Sequence, residues 1–274
     1  CQILAHYKYE ADQYILTLSS KEIAEATQPG QFVHLSVSGI LAMRRPISVM
    51  SVDKENGTFD LLYKIVGEGT RQLADRKIGD MLSVIGPIGN GFQMTDKKIP
   101  LLIGGGVGMP PIIAIAQNIK DNDYFSPYVI LGSEVPFPFD TVSSNLGGFY
   151  SSKIHTMPLL EEWGVQAGLT SLQSFDGVYE GYVTGLAKEY LDSLSEADLL
   201  NVEIFTCGPH PMLEAVSKLA KDYNLPCQVS LEEYMACAVG GCAGCVVEVQ
   251  TENGPAMKRV CVDGPVFEAQ TVFQ

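Results

Sequence analysis

The sequence predicts an antiparallel β barrel, then a Rossmann-like parallel-sheet α/β domain, then a small metal-binding module, spanning residues 1–97, 98–226 and 227–274. Three observations carry this prediction. Up to about Pro100 the chain runs in short alternating segments with turn punctuation, as antiparallel barrels and sandwiches do. From Leu101 apolar runs alternate with helical segments, as in a parallel sheet covered on both faces. Near the end, Cys237, Cys242, Cys245 and Cys261 are separated by four, two and fifteen residues.

Composition bounds the rest. A chain of 274 residues with 46% hydrophobic content can bury the cores of two domains and a small module. No run of eighteen apolar residues occurs, so a helical membrane span is not expected. Acids outnumber bases 32 to 18, which argues against nucleic acid, because phosphate binding needs clustered Lys and Arg.

In the first segment the expected strands are 2–9, 14–17, 31–37, 47–52, 58–66 and 80–85. In the fifth, Phe59, Leu61, Tyr63 and Ile65 alternate with Asp60, Leu62, Lys64 and Val66. A helix is expected over 71–77, with Thr70 as its N-cap and Gly79 as its stop. In the second segment, strands are expected at 99–103, 128–132, 153–157 and 202–206. Helices are expected at 109–120, 185–194 and 211–223, the last with Leu213, Val216, Ala220 and Tyr223 on one face. Residues 133–151 and 158–181 carry no readable period. In the third segment, 246–250 reads as a strand, and a turn at Glu252-Asn253-Gly254-Pro255 would bring Cys261 back beside the other cysteines.

The C-x4-C-x2-C spacing is that of plant-type [2Fe–2S] sites. Gly240, Gly241 and Gly244, with Ala236, Ala238 and Ala243, let the backbone approach sulfur closely. A structural zinc usually takes two C-x2-C pairs or a His partner, and neither is present. Seven cysteines, an odd count, fit reduced thiols in a cytoplasmic protein better than a disulfide framework. No secretory signal is recognisable at the N-terminus.

Two short segments of the first unit suggest a pyrophosphate when taken together. Gly67-Glu68-Gly69-Thr70 places small residues at a helix start, where free N–H groups favour an anion. Arg44-Arg45-Pro46-Ile47-Ser48 supplies a bidentate partner for it. In the second unit Gly104-Gly105-Gly106-Val107-Gly108-Met109 joins a strand to a helix, where dinucleotide phosphates sit, although Met109 replaces the third glycine of G-x-G-x-x-G. Thr206-Cys207-Gly208-Pro209-His210-Pro211-Met212 joins another strand to a helix on the same edge. Ordinary structural roles are expected for His6, His34 and His155, and His210 has no evident partner.

A barrel with Arg-Pro-Ile-Ser and Gly-Thr, followed by GGGVG and CGPHPM, resembles the ferredoxin–NADP reductase superfamily. The cysteine set, GPIGNGF (Gly86–Phe92) and the closing VCVDGPVF narrow this. The chain is similar to the iron–sulfur flavoprotein, or electron-transfer, subunits of class 1B dihydroorotate dehydrogenases. The resemblance implies FAD on the barrel, NAD on the α/β domain and a [2Fe–2S] cluster on Cys237, Cys242, Cys245 and Cys261. It places Arg45, Pro46, Ile47 and Ser48 along the flavin, and Tyr63, Lys64, Ile65, Gly69 and Thr70 along its ribityl and pyrophosphate portions. It places Gly104, Gly105, Gly106 and Gly108 at the NAD phosphates, with Cys207 and Gly208 beside the nicotinamide.

The same resemblance implies a partner subunit that oxidises dihydroorotate at an FMN, in a heterotetramer of two plus two. Electrons would pass singly through the cluster to FAD and leave as hydride to NAD+. No general acid or nucleophile is arranged in this chain. A stand-alone NAD(P)H reductase feeding a ferredoxin, an oxygenase or a sulfur-reducing partner is the alternative. A non-catalytic nucleotide-sensing module is a further one. Glu134, just after Gly132, favours NAD if it lies near the ribose, since an acid repels a 2′-phosphate.

Overall fold

The computed structural model describes residues 1–37, 41, 43–151 and 153–273. Its first unit contains β1 (Gln2–Tyr9), β2 (Gln13–Ser19), α1 (Lys21–Ala26), β3 (Phe32–Ser36), β4 (Arg45–Asp53), β5 (Thr58–Lys64), α2 (Glu68–Ala74) and β6 (Ser83–Ile88). The strands form one antiparallel sheet in the order β1-β2-β5-β4-β3-β6. The segment leading into β6 reaches the start of the chain: Ile3 N–H donates to Asp80 O at 2.9 Å and Leu82 N–H to Cys1 O at 2.8 Å. Alternation sends Val33 and Leu35 of β3 into a core with Leu16, Leu61 and Phe59. Each such buried side chain contributes roughly 1.5–3 kcal/mol.

Two local expectations are corrected here, and one helix is added. Six residues are too few for a helical period to show in α1, which the Ser20 side chain caps by accepting from Ile23 N–H at 3.3 Å. Helix α2 starts at Glu68, three residues earlier than expected, with Gly67 as its cap. Thr70 instead sits one turn in, where its hydroxyl accepts from Val66 N–H at 3.0 Å. Strand β6 is shifted to Ser83–Ile88, because the Asp80 carboxylate closes a turn with Lys77 N–H at 3.1 Å. An edge position lets β6 carry Pro87.

The second unit follows as β7 (Ile99–Gly105), α3 (Met109–Ile119), β8 (Tyr128–Gly132), β9 (Val142–Ser143), β10 (His155–Thr156), α4 (Pro158–Glu162), β11 (Gln166–Ser171), β12 (Tyr179–Glu180), α5 (Val183–Ser193), α6 (Glu196–Leu199), β13 (Val202–Cys207), α7 (His210–Asp222) and β14 (Cys227–Ser230). The last segment holds the hairpin β15 (Val246–Thr251) and β16 (Gly254–Arg259), then β17 (Val266–Glu268) and α8 (Ala269–Val272). The large sheet has the order β12-β11-β8-β7-β13-β14-β17, parallel except for β17. The strand expected over 153–157 shrinks to β10, paired only with β9 in a separate ribbon. The short strands β9, β12, β14 and β17 were not expected, and neither was β11, whose QAGLTS has no apolar run; its neighbour β8 makes it a strand.

Both faces of this sheet are covered. On one, Met50, Leu62 and Phe92 of the first unit share a core with Met109, Ile112 and Phe205. The Gln117 side chain accepts from Val52 N–H and donates to Val52 O, each at 2.9 Å, fastening α3 to β4. On the other face the core runs from Leu101, Ile204 and Val216 to Phe32, Cys245 and Cys261. Among the described residues no helix is long and apolar enough to cross a membrane.

Candidate functional site

The order of the large sheet reverses between β7 and β13, since β8 and β11 lie to one side and β14 and β17 to the other. Ligands of open α/β sheets bind outside the C-terminal ends of strands at such a reversal. Both glycine-bearing loops singled out in the sequence leave the sheet there. They lie backbone against backbone: a Cβ at Gly108 would come within 2.5 Å of Cys207 C and O and of Gly208 N. At Gly105 it would meet Met212 Sδ at 2.4 Å, and at Gly208 Met212 Cε at 2.5 Å. Gly104 packs on Met109 Cα, whereas Gly106, at φ +54°, faces open space. Glycine is therefore required in this pair of loops by close approach at Gly108 and by conformation at Gly106.

Cys207 ends β13 and is fully buried. Burial, and then the charge of Glu232, pushes its thiol up, while a hydrogen bond with Ser230 works the other way. It is a neutral thiol at physiological pH and not a nucleophile. Glu232 was not singled out in the sequence, where it is one acid of a Glu-Glu pair. It is solvent-accessible yet walled by protein, and that desolvation raises its pKa. His210 acquires a partner in the fold, the Phe273 ring, at 5.1 Å between centroids.

In the first unit Arg45 lies directly against Gly69. A Cβ at position 69 would be 2.0 Å from the guanidinium Nε, so any side chain there would push the Arg45 guanidinium aside. The Arg45 guanidinium donates to Met43 O, and Thr70 secures the turn above it. Pro46 and Ser48 face the opposite side from the core residues Ile47 and Val49, and Ser48 is paired with Phe32 of β3. Two expected flavin contacts are corrected by this alternation. The Ile47 side chain packs inside the sheet, and Tyr63 is buried there with its hydroxyl 2.8 Å from His6 Nε2, so only their backbones can face a ligand. Lys64 and Ile65 lie partly exposed at the end of β5.

The cysteines form two pairs. The thiols of Cys237 and Cys242 meet within hydrogen-bonding reach, as do those of Cys245 and Cys261. Left-handed backbone at Ala238, Gly240 and Ala243 wraps the loop around them. N–H groups of Val239, Cys242 and Gly241 point at the Cys237 sulfur, and the first two do most to bring its pKa down to about 6. Burial, and then the Cys245 thiol, pushes Cys261 up to about 11. Arg259 braces the loop by donating to Gly240 O at 3.2 Å and to the Asp263 carboxylate at 3.2 Å.

Among the described residues no three such side chains gather closely enough for a single metal ion. Four thiols in two pairs, met by backbone donors aimed at sulfur, fit the donor set that a two-iron cluster would take. Cys245 and Cys261 lie in the same core as Phe32, whose strand partner is Ser48.

Comparison with known proteins agrees with this arrangement. Residues 232–273 match the family described as the iron-sulfur cluster binding domain of dihydroorotate dehydrogenase B, and residues 6–92 match the oxidoreductase FAD-binding domain. The electron transfer subunit of dihydroorotate dehydrogenase B (NAD(+)) from Caldanaerobacter subterraneus subsp. tengcongensis is 33% identical over 99% of this chain and 97% of its own. Its counterpart from Bacillus cereus is 34% identical over 93% and 90%. Among solved structures, that of the NADH-dependent reduced ferredoxin–NADP oxidoreductase superposes with a TM-score of 0.81 at 25% identity, covering 99% of this chain and 88% of that one. The ferredoxin reductase in carbazole 1,9a-dioxygenase, at 20% identity, shares the fold with a TM-score of 0.64 over 82% and 65%. With identity of this order over nearly the whole length of both chains, the chain belongs to the family of dihydroorotate dehydrogenase B electron transfer subunits.

Proposed function

We propose that this chain carries electrons from an FMN-containing dihydroorotate dehydrogenase catalytic subunit, through a [2Fe–2S] cluster and FAD, to NAD+. One observation carries the reading: β3 and β4 place Ser48 opposite Phe32, and Phe32 shares a core with Cys245 and Cys261. The strand pair that would face a flavin thus shares one continuous core with two of the cluster thiols. The working units are 1–97, 98–226 and 227–274, the last lending β14 and β17 to the large sheet.

Bound FAD supplies the ability to exchange a hydride with nicotinamide and single electrons with an iron–sulfur centre. Arg45 and the N–H groups of Gly69 and Thr70 would hold its pyrophosphate, with Lys64 and Ile65 along its ribityl chain. Pro46 and Ser48 would present the flavin-facing surface, and Ile47 and Tyr63 would support it from the core. Gly104, Gly105, Gly106, Gly108 and Gly208 would admit the NAD phosphates to the β7–β13 crevice. Cys207 would border the nicotinamide as a neutral, close-packed wall. Cys237, Cys242, Cys245 and Cys261 would ligate the cluster. The assembly is a cytoplasmic heterotetramer of two plus two.

The test is spectroscopic. Purified protein should hold about two irons and two acid-labile sulfides per chain. Cys245→Ser should lose the cluster and its electron paramagnetic resonance signal while NADH still reduces the FAD. Stoichiometric zinc without sulfide would reject the reading, and loss of flavin reduction in a folded, FAD-loaded variant would reject the order of carriers. The close superposition on an NADH-dependent ferredoxin–NADP oxidoreductase favours, as a second reading, a reductase feeding another client. Dihydroorotate-dependent NAD+ reduction only in the presence of the co-purifying flavoprotein decides between them.

A further inference from the structure

The segment Gly86–Phe92 is among the most distinctive in the sequence, yet none of its residues belongs to the flavin, nucleotide or cluster sites assigned above. In the structure it is wedged between two segments that do. On one side Phe92 N–H donates to Pro29 O at 2.9 Å, and the Gln31 side chain donates to Gly89 O at 2.7 Å. Both contacts lie at the start of β3, the strand that carries Phe32. On the other side Asn90 reaches the residues that directly follow Cys261. Its backbone N–H donates to Gly264 O at 2.6 Å, and its side-chain amide donates to Val262 O at 3.0 Å and to Asp263 O at 3.2 Å.

The fit leaves little slack. At Gly89, φ +92°, a Cβ would lie 2.5 Å from Pro265 Cδ and 3.0 Å from Gly264 O. At Gly30 it would lie 2.8 Å from Phe92 Cδ2 and 3.2 Å from Val266 Cγ2. Leu231 N–H, donating to Pro265 O at 2.9 Å, closes the far side of the same seam. The chain from Val262 to Pro265 is thereby held at one height against β3, and Cys261 with it. Arg259, N-terminal to Cys261, is pinned separately by Asp263.

We propose that Asn90 is a positioning residue that sets the spacing between the flavin sheet and the cluster thiols, and so the rate at which electrons cross between them. The inference rests on the functional reading above. Asn90 touches no assigned ligand atom and acts through three backbone carbonyls. Two of these are reached by its side-chain N–H2, which makes the chemistry testable with an isosteric change. Asn90→Asp keeps the shape but turns acceptor oxygens toward Val262 O and Asp263 O, whereas Asn90→Ala only removes the donor.

The experiment compares the intact, cofactor-loaded wild type with Asn90→Asp and Asn90→Ala. Three readouts are used: NADH reduction of the flavin by stopped flow, growth of the cluster signal by rapid-freeze electron paramagnetic resonance, and hydrogen exchange at the Asn90 and Leu231 amides. Flavin reduction and iron content should stay at wild-type levels. Cluster reduction should slow by about tenfold in Asn90→Asp and less in Asn90→Ala, in the range that loss of a ligand-orienting partner produces. The cluster signal should broaden, and both amides should exchange faster. Equal cluster-reduction rates in all three proteins overturn the inference alone. Loss of the cluster from both variants also overturns it, since the role would then be retention and not spacing. A wild type whose cluster never reduces with NADH overturns the functional reading and the inference with it.

Discussion

The cluster loop and the β7–β13 crevice are both built from small residues around cysteine, yet they are held in opposite ways. In the crevice, Gly108 lies on the Cys207 backbone and Cys207 is wholly buried. In the cluster loop, Cys242 is exposed and a Cβ at Gly241 would meet nothing within 4 Å. Close packing alone defines the first, so it is complete before any ligand arrives. The second is defined by thiols and N–H groups that converge on a shared centre, with open space at Gly241. The difference teaches that glycine means two things here: close approach of two backbones in one loop, and freedom to wrap a cofactor in the other.

The sharpest way to break this comparison is a matched pair of alanines. Gly108→Ala has no room, because its neighbours are backbone atoms that cannot step aside. It should cost about 3 kcal/mol and lower the melting temperature by roughly 10 °C. Gly241→Ala should leave the melting temperature of the cluster-free chain unchanged. Equal effects of the two substitutions in thermal denaturation would show that the crevice is not preformed by packing.

A smaller effect sharpens the same contrast through thiol chemistry. At pH 7.5 in the folded, metal-free chain, Cys237 is mostly thiolate, since its pKa lies near 6. Cys207 and Cys227 are kept as thiols by burial. A short iodoacetamide pulse read by mass spectrometry should modify Cys237 first and leave Cys207 and Cys227 unmodified. Early labelling of Cys207 would mean that the crevice opens on its own.

The smallest expected effect concerns His34, which lies on β3 fully buried, its ring held only by weak backbone contacts among the described residues. Burial, and then the charge of Arg44, holds its pKa below the ordinary histidine value; Arg45 adds to this, and backbone contacts with Arg44 and Met235 oppose it. Because the folded pKa is the lower one, stability is complete above the unfolded value of about 6.5 and is lost as pH falls through the folded value. His34→Leu should therefore stay within about 1 kcal/mol of wild type at pH 7.5 and become relatively more stable toward pH 5. Denaturant titrations at the two pH values check the sign, and a variant that loses ground at pH 5 refutes it.

What could be read before folding differs between the same two regions. The four cysteines were legible because a thiol is chemically specific and its spacing survives as a linear pattern. Strands β1 and β8 were legible with their ends because alternation or a continuous apolar run bounded by turn residues marks them. Strand β11 was not, because its residues become a strand through the backbone of β8 and not through a pattern of their own. The displaced start of α2 has a similar cause: Thr70 is a good cap by residue type, but Gly67 occupies the position where the backbone turns. Ile47 and Tyr63 lie in readable motifs, yet which face of the strand each occupies depends on the register of β3 and β5 with β4. Glu232 had no signal beyond its charge until β14 carried it toward Cys207.

By itself the sequence determined the kinds of chemistry this protein holds and their order along the chain: an anion corner in a barrel-like unit, a pair of glycine loops, and thiolates at cluster spacing. These follow from residue type and short-range spacing, which need no knowledge of distant partners. Only the tertiary structure decided that Phe32 shares a core with Cys245 and Cys261, that Gly108 rests on Cys207, and that Asn90 grips the carbonyls after Cys261. These arrangements bring together residues as far apart in sequence as Phe32 and Cys261. They arise from packing and backbone hydrogen bonding, neither of which leaves a periodic trace in the chain.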